Sequence, residues 1–177
     1  MWEIRAERPE DARGVEALVE AGFGPGRYAK SAYRLREGVH PEPSLSFVAV
    51  EESSLRGSVR FWPVFVGASP ALLLGPLAVD SAQRGRGIGI ALMNRGIEEA
   101  RALGHRAILL VGDLPYYSRV GFVALERGSV KFPGPADPAR ILGLALTEGA
   151  LEGLAGEVRR GRIDEPVAAD GANWGAD

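Results

Sequence analysis

The junction around residues 75–91 constrains this chain more than any other stretch. An apolar run, ALLLGPLAV, closes at Val79; a polar turn follows, then RGRGIG, then an amphipathic segment to about Leu103. A short apolar run, a glycine cluster and a helical repeat read in that order as strand, turn and helix. Glycines at such a turn let several backbone amides point into one concavity and let a ligand approach closely. A helix that starts there adds its dipole. Gly85, Gly87 and Gly89 would supply the shape and Arg84 and Arg86 the charge, so the ligand suggested is a phosphate or pyrophosphate. The same glycines would equally serve a tight strand-to-helix turn that binds nothing.

The type of phosphate site can be narrowed. There is no G-x-x-x-x-G-K-[ST], so this is not a P-loop. A dinucleotide fingerprint would need glycine three residues after Gly87, where Ile90 stands. The strand before the turn also follows a β-meander rather than opening a βαβ unit. In that meander WEIR, SFVAVEE and LRGSVRFWPVFV read as strands, with Pro63 at a bulge or an edge. Helices are expected from Pro9 to about Gly22 and from about Tyr28 to Glu37. In the helix after the turn, Ile88, Leu92, Gly96, Ala100 and Leu103 share one side, opposite Asn94, Glu98 and Arg101. RAILLVG then reads as a strand buried on both faces, so strand, helix and strand imply a right-handed crossover. Asp113 caps a short helix ended by Gly121; GFVALE, RILGLALTEG and part of ALEGLAGEVRR are further strands. One domain over residues 1–160 and a loose tail over 161–177 are expected.

Composition removes several classes. A net charge of −2 gives no general attraction to nucleic acid or anionic lipid. With no cysteine there is no disulfide, iron–sulfur cluster or cysteine nucleophile. Two distant histidines make no metal site. The charged start MWEIRAERPEDAR lacks a signal-peptide apolar region, and no apolar run nears the ~20 residues of a membrane span, so a cytoplasmic protein is expected.

Two motifs lie at a fixed distance. Arg84-Gly85-Arg86-Gly87-Ile88-Gly89 fits R-x-x-G-x-G after a strand, and Tyr117-Ser118-Arg119-Val120-Gly121-Phe122 fits Y-x-x-x-G-F after the next. Together they resemble the GNAT superfamily of acyl-CoA-dependent N-acetyltransferases, within it the branch often labelled YhbS-like. The resemblance spans roughly residues 1–150 and is sharpest from Leu74 to Phe122. It implies an α/β (α+β) fold: a mixed, mostly antiparallel sheet splayed between strands 4 and 5, with helices on both faces. It implies acetyl-CoA in that opening, with the backbone of Leu77, Ala78 and Val79 along the pantetheine arm and one amide there on the thioester oxygen. The amides from Arg84 through Gly85, Arg86, Gly87, Ile88 and Gly89 would hold the pyrophosphate. Tyr117 matches the position of the family's proton donor to the departing thiolate.

Other residues carry weaker expectations. Tyr116 would line the acceptor site or pack. Asp113 stands where relatives have a cofactor-contacting asparagine, and an ionised aspartate donates no hydrogen bond, so a cap is the better reading. No general base is identified, because the fourth strand carries Gly75-Pro76 where relatives have a glutamate. Glu51, Glu52 and Glu126 read as surface carboxylates, Asp80 as a turn residue, His40 as a loop residue near the acceptor cleft and His105 as a turn residue. Without a cysteine or a G-x-S-x-G, direct attack by the amine in a ternary complex is expected. The acceptor would be an amine-bearing small molecule or a protein amine, with no nucleic-acid or membrane partner; a homodimer would follow family habit. The alternatives are a non-catalytic acyl-CoA-binding sensor or assembly module, and an interaction protein with a coincidental glycine turn.

Overall fold

The computed structural model describes residues 1–23 and 34–161. The helix expected from about Tyr28 falls mostly outside these residues, as does the tail from 162 onward.

The first three hairpin-linked strands after β1 (Glu3–Ala6) are β2 (Phe47–Glu51), β3 (Ser54–Val66) and β4 (Ser69–Val79), all antiparallel neighbours. A helix, α1 (Ala12–Phe23), precedes β2, and α2 (Ile88–Ala102) follows β4. Next come β5 (Ala107–Val111) and a one-turn helix, α3 (Leu114–Tyr117). Four short strands finish the fold: β6 (Val123–Ala124), β7 (Val130–Lys131), β8 (Ile141–Ala145) and β9 (Gly156–Arg160). The main sheet runs β1-β2-β3-β4-β5-β8-β6, with β9 alongside the end of β3 and β7 alongside β9. Among the described residues only β4–β5 and β7–β9 pair in parallel.

Alternation along the strands feeds two faces. Phe47, Ala49, Phe61, Leu72 and Leu74 pack with Leu92, Met93 and Ile97 of α2. Val48 and Ala78 pack with Val15 and Val19 of α1. The two helices therefore cover opposite faces, as expected. The apolar side of α2 is broader than a single row: Gly89, Met93 and Ile97 are buried with Ile88, Leu92, Gly96 and Ala100, while Leu103 is exposed, because the helix ends at Ala102 before Leu103 can turn inward.

Pro63 marks an edge and carries no bulge. Toward the start of β3 the flanking strand is β2, which pairs as far as Val59; from Val64 the flanking strand is β9. Pro63, which has no N–H to offer, falls between them, and its carbonyl accepts from Gly161 N at 3.0 Å. The bulge lies instead in β4. Val59 pairs with Leu77 and Phe61 with Leu74, so Gly75 and Pro76 together oppose Arg60. Gly75 has φ +139°, a conformation that side chains rarely allow, and the Gly75–Pro76 peptide is cis.

Two further expectations are revised. GFVALE yields only the two-residue β6, because β8 offers it just Gly143 and Leu142 as partners. Asp113 starts α3 through its backbone carbonyl, which accepts from Tyr116 N and Tyr117 N. Its carboxylate caps nothing and lies 3.2 Å from Arg140 Nη2. Among the described residues no helix is long and apolar enough to cross a membrane.

Candidate active site

β4 and β5 are joined over only two positions, Leu72↔Ile108 and Leu73↔Leu109. Beyond the bulge, β4 continues to Val79 paired with β3 on one side, while β5 ends at Val111 and turns into α3. Among the described residues, the edge of Leu77, Ala78 and Val79 that faces β5 has no strand partner. An unpaired strand edge is a template for an extended ligand.

This opening leads into a cavity of 430 Å³. Leu77 and Val79 form one wall and Tyr116, Tyr117 and Arg119 another. The floor is the turn, with Arg84, Gly85, Gly87, Ile88 and Gly89, extended by Gln83 and Ile90. Gly87 is the N-cap of α2 in the left-handed region, at φ +80°, and Gly85 has φ +84°. The first amide bonded within α2 is Ala91 N, to Gly87 O at 3.0 Å. The amides of Ile88, Gly89 and Ile90 therefore have no intrahelical acceptor, as in the first turn of any helix, and stand at the positive end of its dipole. A turn with these features can hold an anion.

Two of the expected cofactor residues contribute differently from the rest. Ala78 is buried toward α1, so only its backbone faces the opening. Arg86 does not line the cavity. Its guanidinium forms two bonds to Glu51, Nη1–Oε1 at 2.9 Å and Nη2–Oε2 at 3.0 Å, and another to Gln83 Oε1. Arg84 and Arg119 are the guanidiniums at the cavity wall. Arg119 occupies an unspecified position of the Y-x-x-x-G-F motif, so the motif gives no signal for it; its guanidinium carbon is 5.8 Å from the Tyr116 ring centre.

Tyr117 is positioned by aromatic packing. Its ring meets Tyr116 edge-on at 5.1 Å and Phe122 at 6.1 Å between centres. A methyl group on Gly112 would strike the Tyr117 ring, so glycine at 112 makes room for it. Burial, with Tyr116 and Asp113 nearby, pushes the Tyr117 hydroxyl up to about 12 against a weaker pull from Arg140. It is therefore protonated throughout the neutral range. Burial also raises Tyr116. The Tyr116 hydroxyl lies over Gly89, which places this ring on the wall of the cavity beside the turn.

None of the weighed carboxylates or histidines stands in this cavity. Glu51 is held to about 2 by Arg86 first, with the N-terminal ammonium 3.3 Å away. Asp80 accepts from Ala82 N and lies 3.6 Å from Arg56. Glu52, Glu126 and His40 are exposed. His105 precedes β5, which runs parallel to β4, so it lies at the end of the sheet away from Val79. Burial lowers its pKa, opposed by Glu42.

Residues 12–122 match the family model described as Acetyltransferase (GNAT) family. The N-acetyltransferase YhbS of Escherichia coli K12, itself uncharacterized, is 33% identical over 158 residues, 88% of this chain and 93% of that protein. The crystal structure of E. coli YhbS in complex with CoA superimposes with a TM-score of 0.77 at 31% identity, over 89% of this chain and 88% of that one. A GNAT family acetyltransferase from Brucella melitensis, solved in complex with acetyl-CoA, gives 0.59 at 32% identity, over 86% and 99%.

Proposed function

The chain belongs to the acetyltransferase (GNAT) family, and from that premise we propose that it binds acetyl-CoA between β4, α2 and α3 and transfers the acetyl group directly to an amine. The observation that carries this reading is the convergence of three features on one cavity: the unpaired edge of β4, the free amides at the start of α2, and Tyr117. The CoA and acetyl-CoA complexes of the relatives support it.

In this reading the pantetheine arm lies along the backbone of Leu77, Ala78 and Val79, and the pyrophosphate rests on the amides between Arg84 and Gly89. The lone pair of a neutral amine attacks the thioester carbon. An amide of β4 donates to the carbonyl oxygen as it gains charge; removing such a donor costs about 2.7–4 kcal/mol in other acyl-transfer enzymes. The C–N bond forms, the C–S bond breaks, and the electron pair goes to sulfur. The amine's proton leaves to water, and the departing thiolate, hydrogen-bonded by the Tyr117 hydroxyl, takes its proton from solvent. A phenol near 12 is a weaker acid than a thiol near ~8.5. Tyr117 therefore acts chiefly by donating a hydrogen bond to the sulfur as charge develops there.

The test is thermal unfolding with acetyl-CoA, CoA and desulfo-CoA, followed by thiol release with a panel of amines. A native-state ligand at 100 times its dissociation constant adds about 2.7 kcal/mol. Tyr117→Phe should keep that protection and lose turnover by about 10²-fold or more, the range of general acid–base contributions. Absence of protection by millimolar acetyl-CoA would refute the proposal. Protection without thiol release for any amine would favour the non-catalytic acyl-CoA-binding module.

A further inference from the structure

Arg86 stands between the two left-handed glycines of the turn, Gly85 at φ +84° and Gly87 at φ +80°. A methyl group on either glycine would meet nothing within 4 Å, so no neighbour presses on the turn at these points. The backbone is tied down on each side of it, by Gln83 N to Asp80 O at 2.8 Å and by Ala91 N to Gly87 O at 3.0 Å. Between these two bonds the tether is the Arg86 side chain. One edge of its guanidinium takes both Glu51 oxygens, at 2.9 and 3.0 Å, and the same Nη1 also donates to Gln83 Oε1. Gln83 lines the cavity, whereas Arg86 and Glu51 stand behind its wall.

Glu51 is itself well anchored. It is the last residue of β2, in register with Ser54, and the two residues between them, Glu52 and Ser53, turn the chain at φ +51° and +66°. Its side chain is 15% exposed against 39% for Arg86, so the carboxylate is the fixed partner and the guanidinium the one brought to it. Arg56 Nε, on β3, lies 3.6 Å from Glu51 Oε1, and Arg56 Nη1 lies 3.6 Å from Asp80 Oδ2. Asp80 in turn accepts from Ala82 N at the entry to the turn. One carboxylate therefore joins a guanidinium of the sheet to a guanidinium of the turn. The Arg86–Glu51 pair is neutral as a unit and adds little field in the cavity; what it supplies is shape.

We propose that Glu51 is a positioning residue for acetyl-CoA: through Arg86 it holds residues 84–87 in the form that receives the pyrophosphate before the ligand arrives. The inference rests on the acetyltransferase reading above. It places Arg86 at the back of the turn and leaves the ligand's charge to the first amides of α2, Arg84 and Arg119. Fixing a backbone costs conformational entropy, and glycine has the most to lose. A turn ordered in advance does not take that cost out of the binding energy. A two-bonded guanidinium–carboxylate pair suits the task, because it fixes orientation as well as distance.

Coulomb's law alone gives the opposite sign. Neutralising Glu51 removes an anion from the neighbourhood of an anionic ligand and releases Arg86 toward it, which would tighten binding. Weaker binding on loss of Glu51 is therefore the mark of a positioning role and not of a cation withheld from the phosphates.

The experiment is calorimetric titration of the full chain with CoA at 25 °C, for the parent, Glu51→Gln, Arg86→Ala, Arg86→Lys, the double variant Glu51→Gln/Arg86→Ala, and Glu7→Gln as control. Glu7 holds Arg60 by a comparable pair, at 3.0 and 2.7 Å, at the opposite end of β2, where Glu7 N donates to Ser46 O. Glu51→Gln and Arg86→Ala should each bind CoA about tenfold more weakly. The double variant should lose no more than about tenfold, because both changes break one device. Arg86→Lys keeps the charge without the fork and should bind as weakly as Arg86→Ala. Glu7→Gln should bind like the parent. In the ligand-free protein the NMR order parameters of the Gly85 and Gly87 amides should lie near about 0.85 and fall below about 0.6 in Glu51→Gln. A Glu51→Gln variant that binds CoA as tightly as the parent, or more tightly, would overturn the inference. So would full affinity in Arg86→Lys, a hundredfold loss in the double variant, an equal loss in Glu7→Gln, or low order parameters in the parent. A parent that does not bind CoA is a different result: the acetyl-CoA reading then fails, and the positioning role fails with it.

Discussion

Two glycines at opposite ends of α2 separate backbone strain from ligand binding. Gly87 precedes the helix with φ +80° and Gly104 follows it with φ +88°, and a methyl group on either would meet nothing within 4 Å. Alanine at either position pays only for the left-handed backbone, about 1–2 kcal/mol. For a chain of this size that should lower Tm by about 2–8 °C in both variants. Gly87, however, borders the cofactor cavity, whereas Gly104 lies beyond the far end of the 15-residue helix, about 22 Å away. A methyl group at 87 should stand between the turn amides and the pyrophosphate. Losing one charge-assisted hydrogen bond there, about 2 kcal/mol, weakens binding roughly 30-fold. At an acetyl-CoA concentration that protects the parent by about 2.7 kcal/mol, Gly87→Ala should be protected by only about 0.9 kcal/mol. Gly104→Ala should be protected in full. The assay is differential scanning fluorimetry of the three proteins with and without acetyl-CoA. Equal protection of the two variants would refute the assignment of the anion site to the start of α2.

Glu51, held at about 2 by Arg86, contributes stability that is complete above the ordinary carboxylate value near 4.5 and is lost as pH falls through about 2. Glu51→Gln should therefore flatten the acid limb of the stability curve between those values, as read by circular dichroism on titration. Tyr117, raised to about 12, should give no falling limb of turnover below about pH 11, and its contribution to stability should fade as pH rises from 10 through 12; Tyr117→Phe should lose that alkaline fade. Gly96→Ala should destabilise by about 1–3 kcal/mol in urea unfolding, because the added methyl group would collide with the buried Phe61 ring.

The strand, turn and helix around the glycines were legible because each rests on local signals. The apolar run, the positive-φ glycines and the repeat of buried positions in α2 all lie within thirty or so residues of chain. The place of Tyr117 at the end of α3 was legible for a similar reason, through its distance within the motif. Arg86 shows where such signals stop. In sequence it is one more cation beside the glycines, yet its partner Glu51 is 35 residues away at the end of β2, and only the register of the sheet brings the two together. Arg119 shows the opposite failure: it sat inside a recognised motif, but its approach to the cavity depends on how α3 packs.

Gly75-Pro76 is the most instructive case. Set against the family pattern it reads as a loss, a strand without its carboxylate. In the structure the same dipeptide is the extra residue of a bulge, and a Gly-Pro pair inside a strand is itself a signal for one, because neither residue suits a regular ladder. The bulge resets the alternation along β4, so that Leu74 and Leu77, three residues apart, face α2 together while Pro76 faces the other side. It also removes the bulk of a side chain at Gly75, where Arg36 comes closest. A charged side chain at that position would compete with Arg36 for the same space. The residue that seemed to leave the reaction without a base is therefore the one that admits a cation beside the strand.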